Sequence, residues 1–214
     1  MAATGFDNAV SCTRRAALLT SLGILVPQQS LAGRQAEEPL ADSVRSALSS
    51  AIAADAPPKA SSASFNNIDA RLAYLRWLGA TSERLKKRKS EARTRIEFLE
   101  TLWYESTRAG LEPALVLGLI QVESGFRKYA ISVVGARGYM QIMPFWVRLI
   151  GDGDTPKLFH MQTNLRFGCV ILRHYLDRER GDLFMALGRY NGSRGRAEYP
   201  DAVLASRRQW LVQA

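Results

Sequence analysis

The sequence predicts an all-α protein, or nearly so, built around one buried helix. Apolar residues recur at helical spacing over much of residues 68–212, and no segment has a strong strand-like alternation. One stretch beginning at Pro113 is apolar on nearly every side, which is typical of a helix at the centre of a domain. A chain of 214 residues, 47% of them hydrophobic, can bury one substantial core. We therefore expect one helical domain.

The first two predicted helices cover about residues 68–109. Three leucines recur at helical spacing in the first part of this region: Leu72, Leu75 and Leu78. Gly79 is expected to end the first helix, and Ser82 is expected to cap a second helix that runs to about Ala109.

The central helix is predicted to follow. Gly110 fits a helix end, and Pro113 is tolerated in the first turn of the next helix, which runs through the apolar residues 114–122. Further helices are predicted near residues 145–150, 163–178, 182–190 and 200–212.

The charge of the chain favours an anionic partner. There are 29 Lys and Arg against 20 Asp and Glu, a formal charge of +9, which does not by itself distinguish nucleic acid from cell wall. A basic cluster comprises Arg84, Lys86, Lys87, Arg88 and Lys89. We interpret it as a solvated helical face, with docking to an anionic polymer as the alternative.

Residues 1–32 are typical of a signal peptide. Arg14 and Arg15 precede an apolar run over residues 16–26, which is shorter than the roughly 17 to 25 residues that span a bilayer. Small residues then precede an expected cleavage site after Ala32. The paired arginines loosely resemble a twin-arginine export signal. The sequence thus predicts a protein exported to the periplasm, without a stable membrane span.

The remaining chain is divided by composition. Residues 33–66 are rich in Ala, Ser and Pro and are interpreted as a flexible linker, which leaves residues 67–214 as the folded domain. Cys12 would leave with the signal peptide. Cys169 would then have no partner, and its apolar neighbours indicate a buried hydrophobic side chain.

Glu123 is the first candidate for chemistry. It ends the apolar central helix, where burial and the negative end of the helix dipole both raise the pKa of a carboxyl above about 4.3. A carboxylic acid still protonated near neutrality can protonate a leaving sugar oxygen. The alternative is a structural ion pair with Arg127.

Four short motifs follow one another along the chain. They are Glu123-Ser124, Gly135-Ala136-Arg137-Gly138-Tyr139-Met140-Gln141-Ile142-Met143-Pro144, Thr163-Asn164-Leu165 with Gly168, and Tyr190-Asn191. In this order and spacing they resemble the soluble lytic transglycosylase (SLT) domain family over about residues 108–196. Tyr139 departs from the usual Leu, and Gly188-Arg189 from the usual small residues. The resemblance implies a lysozyme-like helical fold.

The resemblance also implies the site residues. Glu123 would be the sole catalytic acid and base. The residues implied to bind substrate are Ser124, Gly138, Met140, Gln141, Tyr190 and Asn191, with Ser124 orienting Glu123 or the substrate and Tyr190 hydrogen bonding near Glu123. Alternatives from the residues alone are core packing for Met140 and Met143, and helix termini for Asn164, Tyr190 and Asn191.

The implied reaction is non-hydrolytic cleavage of the β-1,4 bond between N-acetylmuramic acid (MurNAc) and N-acetylglucosamine (GlcNAc) in peptidoglycan, which leaves 1,6-anhydro-MurNAc ends. The alternative is a hydrolytic lysozyme-type muramidase, which ordinarily needs a second carboxylate. No Asp or Glu lies between Glu123 and Asp152, although Asp177 or Asp182 could act from a distance. A non-enzymatic module that binds nucleic acid is suggested by the charge alone.

The expected partners are peptidoglycan glycan strands, with cell-envelope machinery as a second candidate and no nucleic acid. The sequence does not separate general wall turnover from local wall opening for a secretion or conjugation apparatus. His160, His174 and Cys169 have no metal-site spacing, so neither a metal nor another cofactor is expected.

Overall fold

The computed structural model describes residues 1–2, 35, 37–53, 65 and 67–212. Apart from residues 1–2, the predicted signal peptide lies outside these residues. The described part of the chain contains helices and two isolated β-bridges but no strand, which confirms the all-α prediction there. Its α-helices are α1 (Asp42–Ala53), α2 (Ile68–Leu85), α3 (Ala92–Arg108), α4 (Pro113–Ser124), α5 (Pro144–Ile150), α6 (Met161–Arg178), α7 (Leu183–Asn191) and α8 (Glu198–Trp210), with a 3-10 helix at Thr155–Phe159 before α6.

Helix α4 is the buried central helix that the sequence predicts. Pro113 occupies its first turn, residues 114–120 are buried, and Gly125 ends it in the left-handed conformation with φ of 57°. Helix α8 packs directly on it. A Cβ added at Gly118 would lie 2.6 Å from the backbone nitrogen of Arg207, so only glycine allows this approach.

The boundary between α2 and α3 differs from the prediction. Helix α2 continues through Gly79 and Ser82, and the break falls at residues 86–91 instead. Ser82 is buried, and its hydroxyl accepts a hydrogen bond of 2.9 Å from Nε of Arg95. Glu91 caps α3 by accepting from the backbone of its first turn. Ser82, which was predicted to cap a helix, therefore connects α2 to α3 instead.

Helix α2 buries two aromatic residues and exposes two of the three leucines that predicted it. Leu72 and Leu75 are 43% and 49% exposed, whereas Tyr74 and Trp77 are buried. The ring of Trp77 lies 4.7 Å from that of Trp103 on α3, measured between centroids. The leucine spacing correctly predicted a helix here, but the larger aromatic side chains occupy its buried face.

Helix α1 lies within residues 33–66, where the composition predicted a flexible linker, so that interpretation is wrong for residues 42–53. Leu48 is buried in the core, and α1 packs against α5 and α6. Nη2 of Arg108 donates a hydrogen bond of 2.6 Å to the carbonyl oxygen of Ala51. Alanine favours helix, and a side chain that satisfies a carbonyl of the last turn stabilises the helix end.

The remaining helices lie within two residues of their predicted bounds. Cys169 is buried, as its neighbours predict, and burial raises the pKa of its thiol. Within the described residues, no helix is both long enough and apolar enough to cross a membrane.

Candidate active site

Glu123 lies in the last turn of α4 and is only 5% exposed. Burial raises the pKa of its carboxyl to about 8, against the opposing effect of a hydrogen bond from Tyr199. This agrees with the direction expected from the sequence. Arg127 does not pair with it, because its Nε donates to the backbone carbonyl of Ser124 over 2.9 Å. Glu123 is therefore protonated at neutral pH and can donate a proton.

Tyr199 is the hydrogen-bond partner that the sequence analysis missed. Its hydroxyl donates to Oε1 of Glu123 over 2.5 Å, and Oε2 is buried with no hydrogen-bond partner among the described residues. Helix α8 was predicted to begin at Pro200 but begins at Glu198, which places Tyr199 in its first turn. Proline is tolerated there because the first N–H groups of a helix have no intrahelical partner.

Ser124 connects the end of α4 to the motif that follows it. Its buried hydroxyl lies 2.7 Å from the carbonyl oxygen of Tyr139 and 3.2 Å from that of Ile120, and it donates to these backbone groups. No hydrogen bond joins it to Glu123 in the described part of the chain. In this structure Ser124 positions the backbone of the motif and does not orient the carboxyl directly.

Asn164 clamps the same motif from α6. Its Oδ1 accepts from the backbone N–H of Met140 over 2.8 Å, and its Nδ2 donates to the carbonyl oxygens of Arg137 and Leu158 over 2.9 and 2.8 Å. The interpretation of Asn164 as a helix cap is wrong, because α6 begins at Met161 and Asn164 already lies inside its first turn. All three bonds of its buried amide fix a neighbouring segment.

Gly138 and Met140 are packed against α6. Gly138 has φ of 77°, and a Cβ added there would lie 2.3 Å from Nδ2 of Asn164. The Met140 side chain is fully buried, and its sulfur would lie 2.2 Å from a Cβ on Gly168. The structure thus places the Met140 side chain in the core, where it cannot line a glycan groove.

Gln141 is also directed inward. It is buried with φ of 49°, and its Nε2 donates to the carbonyl oxygens of Ala130 and Gly138 over 3.1 and 2.9 Å. These bonds use the amide hydrogens of a side chain that was expected to bind substrate. In this structure Gln141 fixes the loop that leads from α4 to α5.

Tyr190 and Asn191 bring the last motif to the same region. The hydroxyl of Tyr190 donates to the carbonyl oxygen of Met140 over 2.8 Å and not to Glu123. Burial, and secondarily the charge of Glu123, raise the pKa of Tyr190. Asn191 donates to Oγ of Ser193 over 3.0 Å, and its buried Oδ1 has no partner among the described residues.

Lys89 differs from the rest of the basic cluster. It was expected on a solvated face, but it is half-buried and donates to the hydroxyl of Tyr139 over 2.7 Å. Its ammonium lies 4.9 Å from the ring centroid of Phe98 and 4.6 Å from that of Tyr139. Burial lowers its pKa. Lys86 and Lys87 are exposed, as expected, but they lie in the turn after α2 and not on a helical face.

The candidate second carboxylates are engaged elsewhere. Asp177 pairs with Arg173 on the surface of α6, and Asp182 caps α7 by accepting from the backbone N–H of Met185 over 3.0 Å. Asp182 and Tyr190 lie near opposite ends of α7, about 12 Å apart by the rise per residue of a helix. Among the described residues, no second carboxylate contributes to the raised pKa of Glu123. The same residues contain no group of three His, Cys, Asp or Glu that could hold a metal ion.

The profile of the Transglycosylase SLT domain family matches residues 101–204, which include Glu123, Tyr199 and all four sequence motifs. This part of the chain is therefore similar to an SLT domain. Outside the match lie α1 and α2, together with the first residues of α3 and the last of α8.

Several known proteins are similar to the same part of the chain. A transglycosylase of Enterobacteria phage PRD1 is 34% identical over 104 residues, which are 49% of this chain and 38% of that protein. Membrane-bound lytic murein transglycosylase C of Actinobacillus pleuropneumoniae serotype 5b is 43% identical over 90 residues, which are 38% of this chain and 24% of that protein. The chain therefore spans well under half the length of these relatives.

A solved structure is also similar. It is an inactive mutant of lytic transglycosylase Slt from Pseudomonas aeruginosa, 25% identical, with a TM-score of 0.42. The similarity covers 65% of this chain and 27% of that one.

Proposed function

We propose that this protein is a lytic transglycosylase, a carbon-oxygen lyase that cleaves the MurNAc-GlcNAc β-1,4 bond of peptidoglycan without water. The observation that carries the proposal is a buried carboxyl, Glu123, with a pKa of about 8 in an SLT domain. The names of the relatives support the substrate and the reaction.

The chemistry needs one group that acts first as an acid and then as a base. Protonated Glu123 donates its proton to the glycosidic oxygen as the bond from C1 of MurNAc breaks, and the N-acetyl group of that sugar stabilises the positive centre. The resulting carboxylate takes the proton of the C6 hydroxyl, whose oxygen bonds to C1 and closes the 1,6-anhydro ring. A pKa near the working pH suits both steps. The hydrogen bond from Tyr199 stabilises the carboxylate between them.

A hydrolytic muramidase remains the second candidate. It would need a second carboxylate to activate water or to form a covalent intermediate. The engagement of Asp177 with Arg173 and of Asp182 with the start of α7 weighs against it.

The product distinguishes the two candidates. Purified peptidoglycan treated with the protein should release muropeptides with 1,6-anhydro-MurNAc ends, lighter by one water than hydrolytic fragments in mass analysis and not reducible by borohydride. Reducing ends as the main product would instead identify a muramidase.

A matched pair of variants tests the role of Glu123. Glu123→Gln retains the size of the side chain but cannot donate a proton, so we expect product formation to fall by about 10²- to 10⁴-fold. Glu97→Gln, a substitution of an exposed residue on α3, should retain full activity. Nearly full activity of Glu123→Gln would contradict the catalytic assignment.

We also propose that the protein is exported to the periplasm, by cleavage after Ala32. The features of residues 1–32 support this proposal, and so does the name of the membrane-bound relative, which indicates the cell envelope. Sequencing of the N-terminus of protein recovered from the periplasm should find Gly33 or a residue close to it. Recovery solely from the cytoplasm, with an N-terminus at Met1, would contradict export.

A further inference from the structure

One carbonyl group at the end of α7 has a side chain from a distant part of the chain as its partner. The last four carbonyls of an α-helix lack intrahelical donors and need partners from elsewhere. The carbonyl of Gly188 accepts from the backbone N–H of Ser193 over 2.7 Å, and that of Arg189 from Gly192 over 3.0 Å. The carbonyl of Tyr190 instead accepts from Nε2 of Gln35, which is distant in the chain.

Gln35 begins a segment that we call the N-terminal strap, comprising the described residues 35 and 37–53. Its side chain is 6% exposed and bonds at both ends, because Oε1 accepts from Nε1 of Trp146 on α5 over 2.8 Å. One buried amide thus joins α5 to the end of α7. A buried amide satisfied at both ends favours a single geometry over alternatives that leave a polar group unpaired.

Further contacts fix the strap to the same face of the domain. Glu38 forms ion pairs with Arg178 at the end of α6 over 2.6 Å and with Arg189 on α7 over 3.3 Å. Arg189 also forms an ion pair with Glu179, so it contacts two carboxylates. The strap lies wholly outside residues 101–204, so it is an addition to the part of the chain that matches the SLT domain.

The residue that Gln35 contacts belongs to the candidate active site. Tyr190 donates from its hydroxyl to the carbonyl oxygen of Met140, and the carbonyl oxygen of the preceding residue, Tyr139, accepts from Ser124, which follows Glu123 in the chain. Asn191 follows Tyr190. A loosened end of α7 would shift both residues relative to the carboxyl. Small displacements of substrate-positioning groups are costly to catalysis.

We propose that Gln35 is a positioning residue of the transglycosylase, which acts through the Tyr190 carbonyl to keep Tyr190 and Asn191 in register with Glu123. This inference rests on the proposed function. The N-terminal strap then contributes to catalysis, because glycan binding depends on Gln35, which lies outside residues 101–204.

The test compares kcat and KM on peptidoglycan fragments for the full chain and three variants. Gln35→Met retains most of the volume but neither hydrogen bond, Gln35→Ala removes the side chain, and Gln162→Ala is a control on the first turn of α6. We expect both Gln35 variants to lower kcat/KM about three- to tenfold, mainly through a higher KM, because both buried hydrogen bonds of the Gln35 amide are lost. Gln162→Ala should match the unmutated protein.

A double-mutant cycle separates positioning from general stability. Trp146→Phe removes the donor to Gln35 Oε1, so its effect on KM should be less than additive with that of Gln35→Met. All assays are run well below the lowest unfolding midpoint of the set. An unmutated protein that neither cleaves nor pellets with peptidoglycan would refute the proposed function. An active protein whose Gln35→Met variant has an unchanged KM, or a cycle with additive effects, would overturn this inference alone.

Discussion

Tyr199 on α8 donates a hydrogen bond of 2.5 Å to Oε1 of Glu123 on α4, across 76 residues of sequence. Burial of Glu123 raises the pKa of its carboxyl, and this bond lowers it; burial has the larger effect, because the pKa is about 8. A carboxyl that must first donate and then accept a proton, as proposed for Glu123, works best with a pKa near the working pH, and these two opposing effects together set that pKa.

Tyr199→Phe should move the pH dependence of the reaction. In the proposed mechanism the acid form of Glu123 is needed first, so activity should fall as the pH rises through the pKa of this carboxyl. Loss of a bond that stabilises the carboxylate raises this pKa, and the alkaline fall in kcat/KM should move to higher pH. At pH 7 we expect kcat to fall about tenfold, since the base form is less stabilised. Rates measured from pH 5 to 10 give both quantities.

Tyr190→Phe is the matched control for that shift. It removes the hydrogen bond to the Met140 carbonyl but leaves the bond between Tyr199 and Glu123 intact. We expect a change in KM without a comparable shift of the alkaline limb. An unshifted limb in Tyr199→Phe would mean that its hydroxyl does not set the pKa of Glu123.

Glu123→Gln should change how stability depends on pH. The pKa of Glu123 is about 8 in the folded protein and its ordinary value is 4.5, so between these values the folded state binds the proton more tightly. The free energy of unfolding of the unmutated protein therefore falls as the pH rises through this window, by at most about 1.4 kcal/mol per pH unit from this group. Glutamine does not titrate. Urea unfolding at pH 5 and pH 8 should show that the variant gains stability relative to the unmutated protein at pH 8, whereas an equal difference at both values would contradict a buried, titrating Glu123.

The sequence predicts the helices better than it predicts their faces. The apolar residues of α4, bounded by Pro113 and Gly125, specify a buried helix with little ambiguity. The break between α2 and α3 was misplaced because Ser82 has the chemistry of a cap but forms a contact with Arg95. Local pattern cannot distinguish these roles, since Arg95 reaches Ser82 only after the two helices pack.

The sequence predicts the position of Glu123 in the candidate site but not the contacts of the residues around it. Glu123 stands out because a carboxyl at the end of an apolar helix is costly. Tyr199 carried no comparable signal, because an aromatic residue in the first turn of a helix is ordinary. Gln141 and Asn164 have side chains able to bind sugars or cap helices, and the tertiary fold directs them to backbone groups of neighbouring segments instead.

Gly138→Ala should destabilise the protein more than Gly135→Ala. Both glycines have positive φ, 77° and 87°, so both substitutions carry backbone strain of order 1 kcal/mol. A Cβ at Gly138 also meets Nδ2 of Asn164 at 2.3 Å and the carbonyl oxygen of Leu158 at 2.6 Å, whereas nothing lies within 4 Å of one at Gly135. We expect Gly138→Ala to lower the free energy of unfolding by about 1 to 3 kcal/mol more, the usual cost of overpacking. Equal unfolding midpoints in urea would show that the Asn164 side chain can move away from the added Cβ without loss of stability.

The basic cluster should separate into residues that bind the wall and one that stabilises the fold. Lys86 and Lys87 are exposed, so they act on an anionic polymer through screened, long-range attraction. We expect Lys86→Gln with Lys87→Gln to weaken sedimentation with intact sacculi at low salt, while turnover of short glycans and the unfolding midpoint hardly change.

Lys89→Gln is the contrasting variant, because Lys89 donates to the hydroxyl of Tyr139 and lies over the rings of Phe98 and Tyr139. Loss of these contacts should lower the free energy of unfolding by about 1 to 2 kcal/mol, since a partly desolvated cation–π contact and one hydrogen bond are removed. Because the backbone of Tyr139 is joined to Ser124, next to Glu123, turnover of short glycans should fall as well. The opposite pattern, with Lys86 and Lys87 required for short glycans and Lys89 dispensable, would move the substrate cleft to the exposed end of α2.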